Sequence, residues 1–201
     1  MANRFSLADM QTVSAVRQSI ALPGHHAPAA GFEAPFEMLT ACHERVARSL
    51  TLMTRLQQHL QSHGLDDSAH HAARDVMRYF DLAAPLHHQD EELHVFPRLM
   101  GGSDPRIQET VLRLIADHRQ METAWAAARL VLAGVAGSSS QAWSPLTSEQ
   151  TQALDQFAAL YSRHIEDEEH LIYPAAQAGL STGSLQAMSE DMMARRGVKI
   201  K

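Results

Sequence analysis

The chain has 201 residues, 45% of them hydrophobic and 20% charged, with a formal net charge of -6 at pH 7. That length suits one domain with a sizeable core, and a negative balance with no basic run argues against nucleic acid or an anionic membrane as partner. Cys42 is the single cysteine, so an internal disulfide and cysteine-built zinc or iron–sulfur sites are excluded. No stretch approaches the roughly 18 apolar residues of a membrane span, and a cytoplasmic protein is expected.

Residues 1–34 read as an N-terminal arm, with a short helix around Leu7, Met10 and Val13 and a Pro/Gly-rich loop carrying His25 and His26. From Pro35 to His63 the core positions step by threes and fours through Phe36, Leu39, His43, Val46, Leu50 and Met53, with Leu60 further on. This is one amphipathic helix, stopped by Gly64. His43 occupies a stripe position where the pattern expects an apolar residue. Asp66 or Asp67 can cap a second helix running to about Met100, with Val76, Phe80, Ala84, His87, Glu91 and Val95 on its stripe. Pro85 lies inside it and predicts a kink.

Asp104-Pro105 opens a third helix, whose stripe is Ile107, Val111, Leu114, His118, Met121, Trp125 and Leu132. After a loop from Gly137 to Thr147, Thr147 and Gln150 form a capping box for the fourth. That helix carries Leu154, Phe157, Tyr161, His164, Glu168 and Leu171 and ends at Gly179. An amphipathic piece from about Ser184 to Arg196 closes the chain. The fold expected is all-α: an up-down-up-down four-helix bundle over residues 35–179, flanked by the arm and by a C-terminal helix and tail over 180–201.

One segment is written twice. His87 to Pro97 reads HHQDEELHVFP, and His164 to Pro174 reads HIEDEEHLIYP. Each copy holds His-x-x-x-Glu, which places both side chains on one helix face, one turn apart. His88 and Glu92 share that spacing, but the second copy has Ile165 where the first has His88. The working pairs are therefore His87/Glu91 and His164/Glu168.

Antiparallel neighbours meet at residues equidistant from their turn. About a turn at residue 65, His43 and His87 are each 22 residues away; about residue 141, His118 and His164 are each 23 away. Four core-stripe histidines thus reach one depth, joined on the next turn by Glu91 and Glu168. Burying them is costly unless they are paired or bind metal, and no Lys or Arg shares their stripes at that level. Imidazole with carboxylate suits iron, manganese or zinc, and six ligands exceed a tetrahedral zinc. Two octahedral ions sharing both glutamates use the whole set; the rival is a metal-free His/Glu hydrogen-bond network.

Glu92 and Glu169 are expected just outside the metal or on the surface, and His94 and His170 at the rim. Cys42, rotated about 100° from His43, reads as a buried, inert thiol. His59 and His63 form another i, i+4 pair, near His70 and His71, but His59 lies roughly 24 Å along the helix from His43. They read as an exposed cluster apart from the main site.

These motifs resemble the hemerythrin-like family of HHE cation-binding domains: a histidine on the first helix, HxxxE with Phe96-Pro97 on the second, His118 on the third, and HxxxE with Tyr173-Pro174 on the fourth. The resemblance spans about residues 35–175. It implies a non-heme di-iron centre of two iron ions held by His43, His87, Glu91, His118, His164 and Glu168. Glu91, Glu168 and an oxo or hydroxo group would bridge the ions. Oxygen-carrying hemerythrins use HxxxH on the third helix, where His118 is followed by Glu122, and HxxxxD on the last, where this chain has HxxxE. Glu122 is thereby expected to hydrogen-bond a ligand, with direct ligation as the alternative. The function implied is binding or sensing of dioxygen, nitric oxide or peroxide. The alternatives are a di-iron oxidase, an enzyme consuming peroxide or nitric oxide, and iron storage or delivery. A sensor would need a separate protein partner.

Overall fold

The computed structural model describes residues 31–198, and among them every regular element is a helix. The readings for Leu7, Met10, Val13, His25 and His26 lie outside the described residues. Helix α1 spans Pro35–His63, α2 Asp67–Asp90, α3 Phe96–Met100, α4 Pro105–Gly137, α5 Ser148–Ala159, α6 Tyr161–Asp167, α7 Tyr173–Ala178 and α8 Thr182–Arg195. Two π-helical turns, Glu91–Val95 and Glu168–Ile172, join α2 to α3 and α6 to α7. The bundle therefore has four long rods: α1, α2 with α3, α4, and the segmented α5–α7.

The ends are where the caps put them. Pro35 starts α1, and Gly64, at φ 77°, ends it with its N–H on the Leu60 carbonyl. Asp66 accepts from the Ala69 N–H at the start of α2 and Asp104 from the Arg106 N–H at the start of α4. The Thr147/Gln150 capping box is complete. Each such cap satisfies donors that a helix start otherwise leaves unpaired.

α2 carries the interior proline from which a kink is expected. α2 remains one helix through Pro85, which stands on the exposed face, where helix hydrogen bonds lengthen at little cost. The departure from α geometry comes at the two π-turns, where the Phe96 N–H reaches back to the Glu91 carbonyl and the Tyr173 N–H to that of Glu168. Pro97 and Pro174 follow directly. In an unbroken α-helix their rings would clash with the carbonyls four residues back. Each π-turn relieves that clash, and each proline then sits near the start of a new α segment, where its missing N–H costs nothing. The repeated aromatic-proline flank thus encodes a bulge at each glutamate.

Two apolar clusters fill the bundle, with a polar layer between them. One holds Val46, Met53, Phe80, Met121, Leu132 and Phe157; the other holds Phe36, Leu39, Val95, Leu114, Ile172 and Ala176. On every rod the histidine of the polar layer separates residues of one cluster from those of the other. Helix α8 caps the second cluster with Met188 and Met192, both 1% exposed or less. Arg195, at its end, and Arg196, just beyond, each reach the fully buried Asp90 at 2.6 Å, so that carboxylate is compensated inside the fold.

Candidate metal centre

The polar layer is assembled from all four rods. His43 comes from α1, His87 from α2, His118 from α4 and His164 from α6, while Glu91 and Glu168 are the first residues of the π-turns. None of the six is more than 3% exposed. All six sequence-selected residues meet. Ligating atoms of His43, His87, Glu91 and Glu168 lie within 4.8 Å of one another, and so do those of His118, His164 and Glu168.

Each carboxylate divides its oxygens between the halves. Glu91 turns Oε1 to His87 Nε2 and Oε2 to His118 Nε2, both at 3.4 Å. Glu168 turns Oε2 to His43 Nε2 at 3.2 Å and Oε1 to His164 Nε2 at 2.9 Å. Close approach here does not amount to hydrogen bonding. Glu91 Oε2, both Glu168 oxygens, His118 Nε2 and His164 Nε2 are buried without a hydrogen-bond partner. Buried polar atoms are rarely left so, and five of them within the two groups are what cations would satisfy. The residues fit a metal pair.

Electrostatics agree. Burial pulls the His43 and His118 pKa values down, but the neighbouring Glu168 and Glu91 carboxylates overcome it and raise them to about 9 and about 10. Glu168 is held well below the carboxylate range because the close imidazoles of His118, His164 and His43 outweigh its burial. Glu91 is pushed up by burial and by the Glu168 charge. His87 is pushed down by burial and by its neighbour His43. Without metal the layer balances itself with protons, which bound cations would displace.

The far sides of the rings are held by carboxylates. His43 Nδ1 meets Glu169 at 2.9 Å, His118 Nδ1 meets Glu92 at 2.8 Å, and His164 Nδ1 lies 3.4 Å from Asp117. Such partners fix which nitrogen faces a metal and how the ring is turned. Glu92 and Glu169 are thus the buttresses of the layer, each gripping a histidine of the opposite hairpin. Glu122 does neither thing expected of it. It is half exposed and pairs with Arg119 at 2.6 Å, which in turn binds Glu92. One turn beyond His118, its position faces the bundle exterior.

Tyr173 was visible in the sequence only as part of the aromatic-proline flank. Its ring stacks on His43 at 5.6 Å, and its hydroxyl donates to Glu91 and lies 3.2 Å from His43 Nε2. Burial, with the Glu91 charge, raises its pKa well above the usual phenol value. Phe96, its partner in the repeat, stacks on His118 at 5.7 Å. His88 is buried too, stacked on His118 at 3.9 Å. Burial and the His118 charge push its pKa well down, which keeps it neutral. Cys42 is buried, its thiol pKa raised chiefly by that burial. His94 is partly buried against Asp191 at 2.7 Å and His170 is exposed, and neither belongs to the grouped ligand atoms of the layer. His59 stacks on His63 and meets Asp66 at 3.1 Å. No group there gathers a metal-sized set among the described residues.

Fold and layer together define a helical-bundle protein with His/Glu groups that could hold metal cations. The family model of the hemerythrin HHE cation binding domain matches residues 34–176. The chain belongs to that family. It is also similar to an uncharacterized protein of Haemophilus influenzae, 35% identical over 170 residues, which are 82% of this chain and 91% of that protein. Among the described residues no helix is long and apolar enough to cross a membrane.

Proposed function

We propose that the chain is a non-heme di-iron protein that binds or senses dioxygen, nitric oxide or peroxide. His43, His87, Glu91 and Glu168 would hold one ion, and His118, His164 and Glu168 the other, with Glu91 reaching across. The observation that carries this reading is the split of both carboxylates between the halves, beside five buried atoms without partners. The mixed nitrogen and oxygen donors favour iron over softer metals. Bound there, iron would supply the redox chemistry and open coordination positions. The protein's part is orientation, through Glu92, Glu169 and Asp117, and dryness, through the apolar clusters on either side.

A second reading, an enzyme consuming peroxide or nitric oxide, is favoured by Tyr173, which holds a phenol proton within the layer. Metal analysis with absorption spectra, on protein purified without air and then exposed to it, tests both. Two irons per chain and a reversible spectral change support binding; catalytic loss of peroxide or nitric oxide supports the enzyme. Rapid loss of iron to a chelator would point instead to storage or delivery. Full occupancy by zinc, or no metal, would sink the di-iron reading.

A further inference from the structure

A notch of about 50 Å³ opens beside the metal layer, between α2, α4, α5 and α6. Its walls are Phe80, Ala84, Met121, Trp125 and Phe157, with Glu122 and Pro85 also lining it. Two buried polar side chains line it as well, His88 at 8% and Tyr161 at 4% exposed. Neither forms a hydrogen bond with a described residue. The repeat supplies no counterpart for either: Ile165 matches His88, and Ala84 matches Tyr161. The unpaired imidazole and phenol leave hydrogen-bonding capacity at the wall of the notch.

Size and lining select the guest. A single water needs about 10–15 Å³ and a dry benzene-sized cavity is about 150 Å³, so 50 Å³ suits a diatomic molecule. Mostly apolar walls favour an uncharged guest, and the two polar groups offer it hydrogen bonds. The inner wall is His88, whose ring lies flat on His118 at 3.9 Å and 9°, and His118 belongs to one half of the layer. We propose that this notch is the antechamber by which dioxygen or nitric oxide reaches the His118/His164 side of the centre, with His88 as its inner gate and hydrogen-bond donor. The inference rests on the di-iron reading for its purpose, but not for the existence of the site.

Two experiments separate the two ideas. Crystals of the metal-free protein pressurised with xenon should show xenon in the notch, whatever metal the protein takes. In stopped flow with nitric oxide and iron-loaded protein, Glu122→Trp should slow association at least tenfold by covering the mouth. His88→Ala should speed it by a similar factor. Glu122 is 56% exposed, so its variant should fold, and iron per chain is measured on each sample to keep loading separate from entry. Xenon absent from the notch overturns the proposal. So do association rates equal to wild type in both variants with iron content intact. Xenon in the notch of a chain that takes no iron would leave the notch standing and sink the di-iron reading alone.

Discussion

The two halves of the metal layer are built from the same parts and finished differently. Across the repeat, His43 corresponds to His118, His87 to His164, and Glu91 to Glu168. Each half has its aromatic ring stacked on the first histidine and its glutamate gripping that histidine's Nδ1. The differences are few and local. His164 has Asp117 near its Nδ1, whereas Cys42 stands at the matching place and His87 Nδ1 is buried without a partner. Asp167 is paired by Arg113 from the neighbouring α4, but its counterpart Asp90 is paired by Arg195 at the end of α8 and by Arg196 just beyond it. One half carries a tyrosine hydroxyl and the other the notch beside His88. A layer of nearly two-fold design is thus unlike on its two sides, and a metal held in one group would meet different neighbours from a metal held in the other.

The widest test of that comparison is the part both halves share. Glu168→Ala removes a carboxylate that faces both groups, so iron should fall from about two per chain to under about a tenth of that. Metal analysis on folded protein, checked by circular dichroism, reads it. Retention of one full iron would show that the halves are independent. Next come His87→Ala and His164→Ala, each expected to halve bound iron, roughly one ion lost per chain, because each ring faces its own group. His59→Ala, far along α1, should change nothing. If either core variant kept two irons, the assignment of that half would fail.

Weaker still are the buttresses. Glu92→Ala and Glu169→Ala leave every metal-facing atom in place and free only the ring behind it. Each should cost about 10–100-fold in iron affinity, read by competition with a chelator. Glu122→Ala should cost far less than Glu92→Ala, since the carboxylate of Glu122 pairs with Arg119 and not with a histidine of the layer. An equal loss would show that the outer charge chain, and not the ring contact, is what matters.

How much of this the residues disclose depends on what kind of regularity produces it. The rods and the common depth of His43, His87, His118 and His164 follow from helical period and turn distance, and both are legible. The choice of His87 over His88 came from comparing copies, and the observed placement of His87 matches it. The burial of His88 did not follow, because rejecting a residue as a ligand says nothing about where its ring packs. Glu122 misled by spacing: four residues after His118 suggests the same face, but that face ends at Met121, which is buried, and Glu122 turns outward. The π-turns are invisible to a 3.6-residue period, although Pro97 and Pro174 each mark one. The buttresses cross between hairpins, and no spacing within a single rod reports such a contact.

Tyr173→Phe tests the subtlest difference. Phe96 shows that a bare ring fits the matching place, so the fold should tolerate the change. Losing the hydroxyl removes one hydrogen bond to Glu91, worth about 1–3 kcal/mol when a buried acceptor is left alone, and a metal on Glu91 would offset part of that. Iron content should therefore stay near wild type. What should change is the inequivalence of the ions. If the hydroxyl is what distinguishes the His43 side, the two iron signals in Mössbauer spectra should draw together in Tyr173→Phe and separate again in the double exchange Tyr173→Phe with Phe96→Tyr. Signals equally distinct in all three proteins would assign the asymmetry elsewhere, to Asp117 against Cys42 or to the notch at His88.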